Sequence, residues 1–208
     1  SAQGNFIKMW GYSAQGTSPE GFWGPRGIAV DSNGKVYITD TGNKRVVIFD
    51  SDGNYITQFG NAGIQPGQFD EPVGIEVDQN GIVYIADTWN RRVQSFTPDE
   101  SGLLYTPSAI WDVDAWFGQS LNNKPFITVS PDGNVLISDP ESGRVLQFTA
   151  LGDFLQGWTD FAINPDLLSQ PNGLAFDLTG SLWVVDTAQN TILRFSSLFP
   201  IEMSPTDP

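Results

Sequence analysis

The clearest pattern in the chain is a set of three short apolar runs within residues 25–49. These runs are rich in Val, Ile, Tyr and Phe, and turn-forming residues separate them. Short runs of this composition between turn signals are typical of β-strands. Asn33-Gly34 separates the first two runs, and this dipeptide favours a two-residue hairpin. We therefore expect a three-stranded antiparallel meander.

This unit occurs four times along the chain. An aspartate at the end of the second run marks each copy, and these residues are Asp40, Asp87, Asp139 and Asp186. The first and third copies are followed by a further short run that begins with Gly and contains aromatic residues. Residues 97–124 are longer than the period allows, and we expect them to supply the outer strand of the second unit together with a loop. A period of about 40–50 residues with four strands per period is the signature of β-propeller blades.

The fourth copy ends after its third strand, at Phe195, whereas residues 4–11 resemble a fourth strand without a unit before it. We therefore expect residues 5–10 to pair beside the strand that contains Leu193, because this closes a ring of four blades and covers a sheet edge. The predicted fold is an all-β propeller of four-stranded blades in a single domain, 1–208. The predicted blades are 12–60, 61–118, 119–158, and 159–195 together with 4–11.

Composition narrows the range of functions. The chain has 10 Lys and Arg against 24 Asp and Glu, a net charge of -14, which opposes binding to nucleic acids. It contains no Cys and no His, so thiol nucleophiles, Ser-His-Asp triads and His-ligated metals are excluded. No apolar run approaches the roughly 18 residues of a membrane helix, so we expect no direct membrane insertion by this segment.

The motif Pro-Arg-Gly-Ile-Ala-Val-Asp, followed by Asn-Gly and then Val-Tyr-Ile-Thr-Asp-Thr-Gly-Asn-Lys-Arg-Val, closely resembles the NHL repeat of bacterial and animal β-propellers. The family includes RNA binders, sensor domains and an amidating lyase. The histidine position of its Asn-His-Leu triplet holds Lys44, Arg91, Gly143 and Asn190 here, and the histidine ligands of the lyase have no counterpart. The resemblance implies a bacterial, extracytoplasmic or cell-envelope domain of a larger protein.

Residues that recur from copy to copy indicate a structural role. Arg45, Arg92 and Arg144 follow the repeated aspartates at a fixed offset. Because such groups recur blade after blade, we expect them to form ion pairs that hold the scaffold.

Residues in which one copy differs from the others indicate a site. In a propeller, the loops before each first strand and those between second and third strands meet at one mouth of the channel. Trp89 lies on such a loop where the other copies carry Gly, Glu and Ala, and Trp is enriched where partners dock. The alternative is that it folds over its own blade. The predicted ligand-binding residues are Trp23, Arg26, Glu76, Trp89, Arg91 and Asn172.

Glu76 is a second exception, since the other copies carry Ala or Thr on this first strand. A carboxylate there must be paired, hydrated or bound to a cation to be tolerated. Pairing with Arg26 and hydration in the channel are the favoured alternatives.

The pattern favours a non-catalytic module that binds a protein or glycan through the loop face of the channel, without catalytic residues or a cofactor. One alternative is a calcium-dependent hydrolase of the lactonase type, for which Glu76, Asn172 and Asp70 are the candidate oxygen ligands. Another is a fragment of a six-bladed propeller.

Overall fold

The computed structural model describes residues 4, 6–116, 124–158 and 168–196. A short parallel pair, β1 (Tyr12–Ser13) with β2 (Gly21–Phe22), precedes the first sheet. Blade 1 is an antiparallel meander of β3 (Gly27–Val30), β4 (Val36–Asp40), β5 (Arg45–Phe49) and β6 (Tyr55–Phe59). A second short parallel pair follows, made of β7 (Asn61–Ala62) and β8 (Gln68–Phe69).

The next two sheets repeat this four-stranded meander, and the last described sheet has three strands. Blade 2 contains β9 (Pro72–Val77), β10 (Val83–Asp87), β11 (Arg92–Pro98) and β12 (Tyr105–Asp112). Blade 3 contains β13 (Ile127–Val129), β14 (Val135–Asp139), β15 (Arg144–Phe148) and β16 (Phe154–Trp158). Blade 4 contains β17 (Pro171–Phe176), β18 (Leu182–Asp186) and β19 (Thr191–Phe195). As predicted, part of residues 97–124 supplies the outer strand of blade 2; residues 117–123 lie outside the described ones.

The first strands of consecutive blades are neighbours: β3 contacts β9, β9 contacts β13, and β13 contacts β17. The described chain has no α-helix, only two single-turn 3-10 helices at Thr41–Asn43 and Thr88–Asn90. The predicted fold class, a four-bladed all-β propeller, is confirmed. The predicted domain limits include residues outside the described part and stay a prediction.

The apolar core lies between blades rather than within them. One cluster joins Tyr37 and Ile48 of blade 1 to Ile75 and Phe96 of blade 2. Two further clusters occupy the boundaries between blades 2 and 3 and between blades 3 and 4. Strand geometry explains this arrangement, because a strand turns successive side chains to opposite faces of its sheet and each face meets a neighbouring blade.

The turn at Asn33-Gly34 differs from the expected two-residue hairpin. The loop spans residues 31–35: the Asp31 amide donates to the Lys35 carbonyl oxygen, and the Gly34 amide donates to the Asp31 carbonyl oxygen, both over 3.0 Å. The Asp31 carboxylate also accepts the Asn33 amide at 2.9 Å. Only Gly34 takes a left-handed φ, 82°, and equivalent turns at Asp78 and Asp177 share this design.

The predicted closure of the ring by the N-terminal segment is wrong. Residues 6–11 form no strand, and β19 pairs only with β18 among the described strands; Asn5 lies outside the described residues. Trp10 packs instead against Phe49 of blade 1, with ring centroids 6.1 Å apart. The Lys8 ammonium donates to the Asp52 carbonyl oxygen in the last turn of the same blade. Blade 1 thus holds the segment through an aromatic contact and a hydrogen bond.

Within the described residues, no helix has the length and apolar character needed to cross a bilayer.

Candidate functional site

In blades 1 and 2, the repeated aspartate at the end of the second strand anchors the mouth loop. Asp40 accepts the Trp23 amide at 2.7 Å, and Asp87 accepts the Asp70 amide at 2.7 Å. One carboxylate oxygen of the repeated aspartate forms an ion pair with the arginine five residues later. The pairs are Asp40–Arg45 (2.9 Å), Asp87–Arg92 (2.8 Å) and Asp139–Arg144 (2.8 Å). The predicted scaffold role of these arginines is therefore confirmed.

The Asp87 carboxyl shows how tightly these anchors are enclosed. Burial raises its pKa, and the hydrogen bonds from Asn90, from the Asp70 amide and from Arg92 oppose that rise. Loops fixed in this way present their side chains at defined positions around the mouth.

The centre of the candidate site is Glu71, on the loop before β9. Its carboxylate lies 3.3 Å from Lys44 Nζ, 3.3 Å from Lys124 Nζ and 3.8 Å from Arg26 Nε. Lys44 also pairs with Asp70 at 3.0 Å. These charges come from loops of blades 1, 2 and 3, so they converge only when the blades are assembled.

The backbone at Glu71 is left-handed, with φ 58°, as it is at the equivalent Gly24, with φ 60°. A non-glycine residue in this region carries strain of about 1–3 kcal/mol, and such strain concentrates at functional sites. The strained backbone therefore marks Glu71 as a departure from the repeat.

Trp89 lies over this charged group. Its side chain is 48% exposed, and its ring centroid is 5.3 Å from Lys44 Nζ and 5.9 Å from Lys124 Nζ. Its amide donates to the Asp70 carbonyl oxygen at 3.0 Å, which fixes the turn that carries it. The Trp89 ring thus lies over lysines of blades 1 and 3 and does not pack only against its own blade 2. About half of the residue stays exposed to solvent.

Trp23 and Arg91 are not among the residues whose charges meet at Glu71. The Trp23 ring lies against Gly42, where an added Cβ would be 1.9 Å from ring carbon Cδ1, so only glycine fits beneath it. Arg91 lines a surface cavity of about 370 Å³ together with Asp112 and Asp114. We therefore place Trp23 against the turn that carries Lys44, and Arg91 in a separate acidic recess.

Glu76 and Asn172 lie elsewhere. The Thr128 hydroxyl donates to Glu76 Oε2 at 3.4 Å, the Val77 amide donates to Oε1 at 3.1 Å, and burial raises the pKa of this carboxyl. The expected Arg26–Glu76 pair is wrong, because Arg26 lies beside Glu71. Asn172 is buried and donates to the Thr187 hydroxyl of its own blade at 2.7 Å.

The three oxygen ligands suggested for calcium do not form a set. Asp70 pairs with Lys44, Asn172 with Thr187, and Glu76 with Thr128. No group of three or more His, Cys, Asp or Glu residues in the described part of the chain is placed to hold a metal ion. These residues do not fit a calcium centre.

Sequence reasoning placed Arg26 and Trp89 in the site but left out Lys44, Glu71 and Lys124. The sequence did contain a signal for Glu71 and Lys124, because both differ from the equivalent residues of other copies. Lys124 stands where the other copies have proline, and Glu71 stands where the first copy has Gly24.

Four sheets with adjoining first strands and a loop-lined mouth define a β-propeller. Residues 22–49 and 69–96 match the NHL repeat family model. NHL repeat-containing protein 3 of Homo sapiens is 40% identical over 48 residues, which are 23% of this chain and 14% of that protein. Residues 22–49 and 69–96, in blades 1 and 2, are thus NHL repeats within a β-propeller.

Solved structures share the fold. A catalytically inactive virginiamycin B lyase from Staphylococcus aureus, solved with quinupristin, has a TM-score of 0.60 and 17% identity over 91% of this chain and 59% of that one. A putative gluconolactonase has a TM-score of 0.52 and 23% identity over 84% of this chain and 59% of that one. The chain therefore spans little more than half the length of these structures.

Proposed function

We propose that this propeller is a non-catalytic binding module that takes a protein or glycan ligand at the loop face. Its loop-face site consists of Arg26, Lys44, Glu71, Trp89 and Lys124. The observation that carries the proposal is the half-exposed Trp89 ring, which lies over two lysines where loops of three blades converge.

The chemistry of the site suits a polar ligand with an apolar face. An indole ring stacks on the face of a sugar or on peptide side chains, while charged groups orient hydroxyls, amides or carboxylates. Three cations meet two carboxylates here, Asp70 and Glu71, in a chain whose net charge is -14. The local excess of positive charge favours ligands rich in acceptor groups.

The family supports a binding role, since NHL propellers often mediate protein interactions. The lyase and the putative gluconolactonase share only the fold, and their activities belong to those proteins. We also propose an extracytoplasmic location within a larger protein, which follows from the family resemblance.

Calorimetric titration tests this function with a panel of neutral and uronate-containing oligosaccharides and of polar peptides. We expect a binder whose affinity falls about tenfold in Lys44→Ala, in line with an interfacial residue worth more than 1 kcal/mol. Lys35→Ala is the matched control, because Lys35 lies in the turn between β3 and β4, at the other end of the strands.

Two results would contradict the proposal: no ligand in the panel, or equal losses in both lysine variants. A parallel titration with calcium chloride alone distinguishes the binding module from the lactonase alternative. Calcium binding together with turnover of a lactone would favour that alternative.

A further inference from the structure

A second cavity lies at the opposite end of the first strands from the loop-face site. Its volume is about 340 Å³, and residues of blades 2, 3 and 4 line it. Strand β9 begins at Pro72, directly after Glu71, and ends at Val77, which lines this cavity. The length of the strand therefore separates the cavity from the loop-face site.

The lining of this cavity combines apolar groups with hydrogen-bonding groups. Val77, Val129 and Phe176, which end three consecutive first strands, supply apolar surface. Thr128 supplies a hydroxyl. In the part of the chain that the structure describes, no Lys or Arg lines the cavity. A ligand here therefore meets apolar groups, neutral polar groups and carboxylates, but no cation.

Two acidic residues line the cavity, and one of them already holds a turn. The Asp78 carboxylate accepts the amides of Asn80 and Ile82, both at 2.9 Å, in the turn after β9. Glu76 lies on the strand itself. Its carboxylate accepts the Thr128 hydroxyl at 3.4 Å and the amide of the next residue at 3.1 Å. It forms no ion pair with any residue that the structure describes.

Glu76 occupies a position at which blade 1 has a small apolar residue. The equivalent Ala29 is buried in the apolar cluster between blades 1 and 2. Burial raises the pKa of the Glu76 carboxyl, because no cation offsets the loss of water around its charge. A carboxylate at such a site costs stability. Departures from a regular pattern that cost stability are expected where a residue serves a ligand.

We propose that this cavity binds a small organic cation, a primary amine with a short apolar group. The ammonium group pairs with the Glu76 carboxylate and donates to the Thr128 hydroxyl oxygen, and the apolar group lies against the ends of the three strands. A small-molecule site of this kind combines apolar walls with a few polar groups that fix the orientation of the ligand. This inference does not depend on the loop-face site.

The charges of the cavity select this class of ligand. An ammonium ion compensates the Glu76 charge, whereas an anion meets two carboxylates and no cation. A divalent metal ion needs several oxygen ligands at once. Among the described residues, no three acidic side chains are grouped to hold one. An ammonium ion needs only one counter-ion and a few acceptors, and the cavity supplies both.

Titration of the full ¹⁵N-labelled chain, followed by NMR at neutral pH and physiological ionic strength, tests this. The probes are 2-phenylethylamine and its neutral counterpart of similar shape, 2-phenylethanol. We expect saturable shifts of the Val77 and Thr128 amide signals with the amine, and at least tenfold weaker binding of the alcohol. Glu76→Gln should weaken binding of the amine at least tenfold. Glu20→Gln is the matched control, because it removes an exposed carboxylate outside the cavity, and it should bind like wild type.

A second variant tests the cavity without changing its charge. Ala175 lines it from blade 4 and is exposed, so Ala175→Leu narrows the cavity and leaves the Glu76 carboxylate in place. This variant should also weaken binding of the amine at least tenfold. Circular dichroism and thermal unfolding of each variant separate loss of binding from loss of fold.

Glu76→Gln distinguishes a binding role from a structural one. It should unfold at the same or a higher temperature than wild type at neutral pH, because it removes a buried charge, and yet lose the amine. No saturable binding of the amine, equal binding of 2-phenylethanol, wild-type binding in Ala175→Leu, or an equal loss in Glu20→Gln would each overturn the proposal.

Discussion

At the scale of single residues, the Glu71 carboxylate balances the positive charges at the mouth. Lys124 is buried, and its Nζ makes no hydrogen bond among the described residues, so its charge is balanced by the Glu71 carboxylate 3.3 Å away. A buried charge that loses its counter-ion is costly, whereas an exposed pair contributes little. The carboxylate therefore offsets the cost of placing cations beneath Trp89.

We predict that Glu71→Gln lowers the free energy of unfolding by about 3 kcal/mol, because it leaves the buried Lys124 charge uncompensated. Urea denaturation of Glu71→Gln, Lys124→Met and the double variant measures the coupling. Asp70→Asn is the control, and the loss of its more exposed pair should cost about 0.5 kcal/mol. Equal losses in Glu71→Gln and Asp70→Asn would show that Glu71 has no special role.

The buried Glu76 carboxyl predicts that the stability of the fold depends on pH. Burial raises the pKa of its carboxyl above the ordinary value of 4.5, so the native chain holds this proton more tightly than the unfolded chain does. The contribution of Glu76 to stability therefore falls as pH rises from that ordinary value through the raised one. We expect Glu76→Gln to be more stable than wild type at pH 7, and this advantage to shrink towards pH 4.

Denaturation of wild type, Glu76→Gln and the exposed control Glu20→Gln at several pH values checks this. A Glu76→Gln advantage that does not change with pH would contradict the assignment.

At the scale of elements, the Asp–Arg pairs join the second and third strands of a blade to the loop before its first strand. Arg45 contacts Asp40, Gln58 and the carbonyl oxygens of Ser18 and Gly21. It therefore ties strands β4, β5 and β6 to the segment that carries Trp23. The Asp–Arg pair recurs in blades 1, 2 and 3, whereas blade 4 has Thr191 at the arginine position.

Burial should set how much each of these arginines stabilises the fold. Arg45 has a side chain 4% exposed, and we predict that Arg45→Ala costs about 3–5 kcal/mol, as expected for a broken buried pair. Arg144 is 29% exposed, and Arg144→Ala should cost roughly 1 kcal/mol. Thermal and urea unfolding of both variants measures the order, and a larger loss in Arg144→Ala would refute this ranking.

The sequence was most informative about these elements. Four copies of one pattern of short apolar runs and turns predicted the strands and blades, because that pattern depends only on local sequence. The closure was wrong because Trp10 contacts Phe49 of blade 1, a tertiary preference that the strand-like pattern of residues 4–11 does not carry. Of the loop-face site, the sequence predicted Arg26 and Trp89. It did not predict Lys44, Glu71 and Lys124, because these residues meet only when adjacent blades are in place, and no single repeat specifies that placement.

At the scale of the whole molecule, the propeller combines a strongly acidic chain with a mouth at which cations outnumber carboxylates. The repeated pairs hold the scaffold, whereas Glu71, Trp89 and Lys124, which depart from the repeat, gather at the loop-face site. Departures from an otherwise regular pattern are expected at functional sites. This division of roles is the central claim about the molecule.

Replacement of Trp89 by alanine tests that claim most directly. The loop tolerates Gly42 at the equivalent position of blade 1, so Trp89→Ala should change the free energy of unfolding by less than about 1 kcal/mol. It should weaken binding of the panel ligand by about 1–3 kcal/mol, the range for a hot-spot aromatic residue. Phe154→Ala, at an exposed aromatic residue on the outer strand of blade 3, is the control and should leave binding unchanged. A loss of stability of several kcal/mol with unchanged affinity would instead make Trp89 part of the scaffold and contradict the loop-face site.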